Sequence, residues 1–273
     1  MFNWFRKNRR RKILQTPFPQ IWRDILVETV LHYQYLDQAE KEQLEQLVQV
    51  FISEKSFEGC GGLELTDEIK VVIAAQASLL VLGLPSFQYR DLDSILVYPT
   101  TVTLPESRPG VFSESWQIVP DQQAILGQAW LRGPVILVWD AVLRGVRHPE
   151  RGHNVVYHEF AHILDMRDGS ADGTPELHGV QLYRRWVEIC SKEFFRLKKR
   201  VERGEASLLD PYGAVHEAEF FAVATELFFD RPLRMEKEYP KLYNVLQEYY
   251  QQDTAARQRR YREKNGDDTI AAQ

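Results

Sequence analysis

The stretch GHNVVYHEFAHILDMRDG, residues 152–169, carries two histidines four positions apart, and a glutamate directly follows the first of them. On an α-helix, His158 and His162 project from one face a single turn apart, so both imidazoles can reach one metal ion. Glu159 points about 100° away from that face, which favours a proton acceptor for an attacking water over a ligand. The stretch predicts a catalytic metal centre on a helix; a core helix with two hydrogen-bonded histidines is the alternative.

A catalytic zinc site needs a third protein ligand and an open position for water. Asp165 lies on the same face but in line with the two histidines, which closes a tetrahedron poorly. It is therefore a better candidate for a residue that orients a ligand, or for a helix-end residue. Glu176 and His178 are further candidates in an expected loop. The pattern with a third histidine does not continue, because position 168 is aspartate.

The best candidate for the third ligand lies in a later segment, DPYGAVHEAEFFAVATELFFDRP (210–232). Glu219 and Glu226 are seven positions apart and share one face of a helix rich in phenylalanine and alanine. A carboxylate in apolar surroundings is costly unless it is paired or binds a metal. The two glutamates thus predict a distant second half of the metal centre. The alternative is that they lie on the solvent side of the helix.

Two segments carry a family resemblance: GHNVVYHEFAHILDMRDGSADGTPEL (152–177) and YGAVHEAEFFAVATELFF (212–229). They resemble the Mlc titration factor A family of zinc peptidases. Beyond these segments, the resemblance extends over most of residues 17–253. The second half of the chain is also similar to the catalytic domain of anthrax lethal factor, in which a tyrosine precedes a zinc-ligand glutamate by seven positions.

The resemblance implies a zinc-dependent metallopeptidase of the gluzincin type, a class that includes aminopeptidases. It implies one zinc ion per chain, with His158, His162 and Glu219 as ligands. It further implies that Glu159 is the general base, and that Tyr212, seven positions before Glu219, donates a hydrogen bond to the oxyanion. A peptide or a protein is the implied substrate.

The partners that orient the ligand histidines stay open. In the thermolysin-like arrangement, an acidic residue usually lies four positions after the ligand glutamate, but position 223 of this chain is valine. Asp165 and Glu226 are the candidates for this orienting role.

The resemblance also implies a regulatory role in sugar uptake and transcription control, because family members sequester a transcriptional repressor. A protein that binds such a repressor, with peptidase activity secondary, is the alternative function. Glu159 favours the enzyme, since a pure binding protein has no need of a general base.

The order of elements predicts an α+β fold. The resemblance implies a zincin-like form, with a small mixed sheet and the active-site helix between helical N-terminal and C-terminal parts. Asp37 and Glu40 predict a capping box, and a second helix is expected from Thr66 to Gly83. The other expected elements are strands at 94–99, 101–104 and 133–140, the last available to pair with an extended substrate, and helices at 154–166, 179–202, 217–229 and 240–250.

A single peptidase domain is expected over residues 16–253, with a helical part at about 16–90 and a catalytic core at about 91–253. Residues 1–15 are predicted to form a flexible basic arm, for which contact with an anionic surface is the alternative. Residues 254–273 are predicted to be a polar, disordered tail.

The net charge of the chain is −5, although six basic residues and no acidic ones lie among the first twelve. The remainder is therefore acidic, and direct nucleic-acid binding is not expected. No apolar run follows the basic N-terminal stretch, and VVIAAQASLLVLGL (71–84) is too short to span a bilayer. Cys60 and Cys190 match no disulfide framework. We expect a cytoplasmic protein without a transmembrane segment.

Overall fold

A computed structural model describes residues 2–84, 89–100 and 133–266, with side chains from residue 7 onward. The strand predicted at 101–104 lies outside these residues. The described strands are β1 (Ser56–Gly59), β2 (Ser94–Tyr98) and β3 (Val135–Val138). The described α-helices are α1 (Phe2–Leu14), α2 (Gln20–Thr29), α3 (Leu31–Tyr35), α4 (Gln38–Glu54), α5 (Asp67–Leu80), α6 (Trp139–Arg147), α7 (Val155–Asp165), α8 (Val180–Glu202), α9 (Glu217–Asp230), α10 (Pro232–Glu238), α11 (Pro240–Tyr250) and α12 (Thr254–Asn265).

The described strands form one small sheet in the order β1-β2-β3, and both strand pairs are parallel. The expected mixed sheet stays a prediction, because the strand predicted at 101–104 lies outside the described residues. β1 was not predicted, because Ser56–Gly59 is only four residues long and includes a glutamate and a glycine. A parallel pair needs a crossover connection, and α5 supplies it between β1 and β2. Few strands among many helices agree with the α+β class.

Local signals define the starts of the N-terminal helices. The Asp37 side chain accepts a hydrogen bond from Glu40 N, and the Glu40 side chain accepts one from Asp37 N, which confirms the predicted capping box at α4. The Thr66 hydroxyl accepts from Ile69 N at the start of α5. α5 ends at Leu80, a little before the predicted Gly83.

Two helices form the centre of the molecule. α5 packs against α2, α4 and α7, and its residues from Val71 to Leu80 are all buried. A helix that is apolar around its whole circumference is buried on every side, as this one is. α9 packs against α7 and is buried from Ala218 to Asp230. The three packed helices α5, α7 and α9 therefore form the frame on which the polar residues of the candidate site are placed.

The N-terminal basic segment is helical in the structure, whereas the sequence predicted a flexible arm. α1 packs against α4. The Arg10 guanidinium donates two hydrogen bonds of 2.7 Å to the Glu54 carboxylate, and Arg9 Nη2 donates to Ser53 O at 3.0 Å. A bidentate pair of this kind orients the guanidinium firmly. The sequence signal missed this helix because its partner residues lie more than forty positions away.

The segment Thr254–Asn265 is helical in the structure, whereas the sequence predicted a disordered tail from residue 254. Arg257 Nε donates to Glu40 Oε1 at 2.8 Å, and Tyr261 OH donates to Gln34 Oε1 at 3.0 Å. Thr254 Oγ1 donates to Phe228 O at 2.8 Å. α12 has almost no apolar face, so polar contacts to distant residues hold it, and these leave no periodic pattern in the sequence.

Among the described residues, no helix is both long enough and apolar enough to cross a membrane.

Candidate metal centre

α7 begins at a well-defined cap. The Asn154 side chain accepts hydrogen bonds from Val156 N and Tyr157 N, both at 3.2 Å. The helix then runs to Asp165, which confirms the helix predicted there. His158 and His162 lie on one face, and their ring centroids are 4.9 Å apart.

α9 brings a carboxylate to the same place. Glu219 lies in its first turn, and the residue is 2% exposed. Its Oε2 lies 2.9 Å from His158 Nε2 and 3.4 Å from His162 Nε2. The two Nε2 atoms are 3.2 Å apart. One ligand atom each of His158, His162 and Glu219 thus falls within 4.8 Å of the others.

The other ligand candidates lie elsewhere. Glu176 forms an ion pair of 3.0 Å with Arg167. His178 lines a separate small cavity beside Tyr249. The structure therefore brings together the pair on α7 and the glutamate on α9, but not the two residues of the loop.

The nitrogen and oxygen atoms that converge in the cluster are suited to bind a cation. His158 Nδ1 lies 2.8 Å from Glu226 Oε1. A neutral imidazole that donates its Nδ1 proton to this carboxylate keeps a lone pair on Nε2. That lone pair then faces the Glu219 carboxylate and the His162 ring. Three acceptors that converge repel one another unless a proton or a metal ion lies between them.

The pKa values of His158 and Glu219 are shifted by the same close contacts. Burial lowers the pKa of His158, but hydrogen bonds to Glu219 and Glu226 outweigh burial and raise the pKa of His158 well above its usual value. Burial raises the pKa of Glu219, yet hydrogen bonds to His158 and His162 bring the pKa of Glu219 down to about 2. Glu219 is therefore an anion at neutral pH, as a metal ligand must be.

Of the two candidates for orienting a ligand histidine, Glu226 is the one that forms a hydrogen bond to His158. Besides the contact to His158, its Oε2 accepts a hydrogen bond from Asn154 N. Asn154 Nδ2 in turn donates to Gln76 Oε1 of α5 at 2.8 Å. This chain of polar contacts joins α5, α7 and α9 behind His158. Asn154 and Gln76 were missed as site residues, although an asparagine just before an apolar helical run is a recognisable cap signal.

Asp165, the other orienting candidate, is fully buried and contacts a loop instead. Its Oδ2 accepts from Gly173 N at 2.9 Å, and burial raises the pKa of Asp165 to about 7. Trp186 Nε1 donates to Gly173 O at 3.0 Å. A Cβ atom at Gly173 would lie 2.3 Å from Glu217 O, so only glycine allows this approach. The hydrogen bond from Gly173 to Asp165 thus holds the segment after α7 close to the start of α9.

Tyr212 lies at the edge of the cluster, in the short 3-10 helix Pro211–Ala214. Asp210 caps this helix by accepting from Tyr212 N at 2.7 Å. The Tyr212 and His158 ring centroids are 6.0 Å apart, and Tyr212 is 41% exposed. Gly213 packs so closely on α9 that a Cβ atom there would lie 3.3 Å from Val223 Cβ. Val223 therefore packs against Gly213. It occupies the position, four after Glu219, at which the thermolysin-like arrangement usually has an acidic residue.

Glu159 follows His158 on α7 and is half-buried. A cavity of about 460 Å³ opens beside His158 and is also lined by Tyr212 and Glu226. Its volume suits a small ligand or a few residues of a peptide.

Comparison with known proteins agrees with this geometry. The family model of the glucose-regulated metallo-peptidase M90 matches residues 3–251. A Synechocystis sp. protein named slr2042 is 38% identical over 244 residues, which are 89% of this chain and 87% of the relative. Mlc titration factor A of Serratia proteamaculans is 31% identical over 252 residues, 89% of this chain and 91% of that protein. The same-named protein of Pectobacterium atrosepticum is 32% identical over 248 residues, 85% of this chain and 89% of that protein.

The resemblance to the Mlc titration factor A family is thereby confirmed, whereas the similarity to lethal factor stays a prediction. The matched residues include both α7 and α9, the two helices that meet at the polar cluster. On the strength of a match over nearly the whole chain, this protein belongs to the glucose-regulated metallo-peptidase M90 family.

Proposed function

We propose that the chain is a zinc-dependent metallopeptidase of the zincin-like, gluzincin type, in which His158, His162 and Glu219 hold one zinc ion. The convergence of these three side chains carries the proposal. Zinc accepts nitrogen and oxygen ligands, and a catalytic site uses three protein ligands with one position left for water. The cavity beside His158 is the candidate binding place for the substrate.

The chemistry is hydrolysis of a peptide bond. Bound zinc supplies a Lewis acid that polarises the scissile carbonyl and lowers the pKa of a nearby water toward about 7. Glu159 accepts a proton from the attacking water while the water oxygen bonds to the carbonyl carbon. Glu159 then returns this proton to the amine nitrogen as the carbon–nitrogen bond breaks. One amide and one water are consumed, and one carboxylic acid and one amine are released.

Two further residues near His158 support this reaction. The Tyr212 hydroxyl donates a hydrogen bond to the oxyanion that develops on the carbonyl oxygen. Glu226, itself fixed by Asn154, accepts from His158 Nδ1 and so holds the imidazole with Nε2 toward the ion.

β3 is the candidate for binding the substrate backbone. It is a terminal strand in the described sheet, and it leads directly into α6 beside the cavity. An extended peptide that adds to such an edge is held by main-chain hydrogen bonds with modest side-chain selectivity.

A repressor-binding role is the second candidate function, favoured by the name of the Serratia and Pectobacterium relatives, which are called titration factors of Mlc. In this role the chain sequesters a transcriptional repressor and peptidase activity is secondary. The Glu159→Gln variant separates the two, because sequestration needs no general base. A cellular effect that survives this substitution favours the binding role.

The proposed function is tested by metal analysis combined with hydrolysis of a small peptide library. We expect one zinc ion per wild-type chain after reconstitution and measurable cleavage of at least some peptides. His162→Ala should lose the ion and the cleavage but keep the fold, since the core is apolar and independent of the cluster. A wild-type protein that binds no zinc above background contradicts the proposal.

Tyr212→Phe should keep the zinc content and reduce kcat by about 10²–10³-fold, which is the usual loss when one oxyanion donor is removed. The measurement is steady-state hydrolysis alongside zinc analysis of the same sample. Tyr183→Phe, the same change at an exposed tyrosine of α8, is the matched control and should have no effect. Unchanged kcat in zinc-loaded Tyr212→Phe removes Tyr212 from the mechanism.

A further inference from the structure

One wall of the cavity beside His158 is basic. α6 contributes Arg144 in its last turn, and the 3-10 turn that follows α6 contributes Arg151. His148 and His153 lie on the same wall. In a chain with a net charge of −5, such a concentration of positive charge at the mouth of the candidate site needs a reason.

The carboxylates near this wall are already engaged. Asp210 Oδ2 lies 3.2 Å from His153 Nε2, and Glu226 contacts His158. Glu150 Oε1 lies 3.1 Å from His148 Nδ1. Within the described parts of the chain, no ion pair or hydrogen bond engages the guanidinium of Arg144 or of Arg151. The positive charge at the cavity is therefore not balanced by the residues around it.

A structural role at the helix end explains part of this charge. Arg144 and Arg147 both lie in the last turn of α6, where a cation interacts favourably with the helix dipole. Arg151, however, lies beyond the helix, and Arg147 does not line the cavity. Arg144 and Arg151 both line the cavity, but they do not both lie at the helix end.

We propose that Arg144 and Arg151 form a subsite that binds a carboxylate of the peptide substrate, so that the chain prefers acidic peptides. This inference rests on the proposed peptidase function and names its substrate class. Guanidinium groups bind carboxylates through paired, charge-assisted hydrogen bonds. A carboxylate held here lies in the same cavity as His158 and Tyr212, which places the neighbouring peptide bonds close to the cluster.

The carboxylate can come from an acidic side chain or from the C-terminus of the peptide, and three peptides distinguish these sources. The first is acetyl-Ala-Ala-Glu-Ala-amide, which has only a side-chain carboxylate. The second is acetyl-Ala-Ala-Gln-Ala with a free C-terminus. The third is acetyl-Ala-Ala-Gln-Ala-amide, which has neither. Calorimetric titration into the zinc-loaded, full-length Glu159→Gln protein measures affinity without turnover.

We expect at least one carboxylate peptide to bind about 5–10-fold more tightly than the neutral one, as partly exposed charge pairs allow. Adding Arg144→Ala or Arg151→Ala should reduce this preference to about twofold or less. Arg147→Ala is the matched control, because it removes the same charge from the same helical turn outside the cavity, and it should keep the preference.

Equal affinities for all three peptides, or no binding of any, overturn the subsite. An equal loss of preference in Arg147→Ala also overturns it, because the effect is then one of overall charge. These outcomes are separate from a failure of the proposed function. A protein that keeps the preference but hydrolyses no peptide in its wild-type form contradicts the peptidase and leaves the subsite standing.

Discussion

Glu159→Gln is expected to reduce peptide hydrolysis by about 10³–10⁴-fold, while the protein keeps its full zinc content. The amide has the shape of the carboxylate but cannot accept the proton of the attacking water, and general-base assistance of this kind contributes about 10²–10⁴-fold. The zinc content is unaffected because His158, His162 and Glu219 remain in place. The measurement is kcat on a cleaved library peptide, with metal analysis of the same preparation.

Glu150→Gln provides the matched control for this variant. It makes the same chemical change at an exposed carboxylate that does not line the cavity and that pairs with His148. Its turnover should stay within about twofold of the wild type, since the loss of an exposed ion pair has little effect. Near-normal turnover of a zinc-loaded Glu159→Gln protein would falsify the assignment of Glu159 as the general base.

Glu219→Ala is expected to weaken zinc binding by more than about 100-fold and to abolish hydrolysis. The substitution removes a ligand and leaves two histidines, which do not complete a catalytic zinc site. Glu226→Ala should weaken binding less, by about 10–100-fold, because it removes a residue that orients a ligand. Competition with a chelator of known affinity measures both constants.

Glu217→Ala controls for the loss of a carboxylate at the start of α9. Glu217 lies in the same helical turn as Glu219, but its side chain is 55% exposed. Zinc affinity should be unchanged in this variant. If Glu217→Ala and Glu219→Ala weaken binding equally, the effect arises from the charge of the helix N-terminus and not from coordination.

The features of the site that the sequence predicted are those with a regular spacing along a helix. His158 and His162 share a face because of their separation by four, and Glu219 and Glu226 share one because of their separation by seven. The spacing of residues along each helix did not indicate that α7 and α9 pack against each other. This packing was inferred from a carboxylate in an apolar helix and from the family resemblance, and α7 does pack on α9.

The missed features depend on residues that are far apart in the chain. The contact between Asn154 and Gln76 spans more than seventy positions, and Gln76 lies in an apolar stretch that carries no sign of this contact. Arg257 and Glu40 are still more distant, so a helix with no apolar face was taken for a tail. The basic wall of the cavity was missed because its two arginines lie on different elements.

The order of α7 and α9 along the chain has a consequence for the protein during its synthesis. Both histidines are added to the chain before Glu219 and Glu226, so the nascent chain at first offers only two of the three proposed ligands. Glu159, the proposed general base, is also added early, but the proposed centre is incomplete until α9 has been made and has packed on α7. Under the proposed mechanism, a nascent chain in which α9 has not yet folded is therefore inactive.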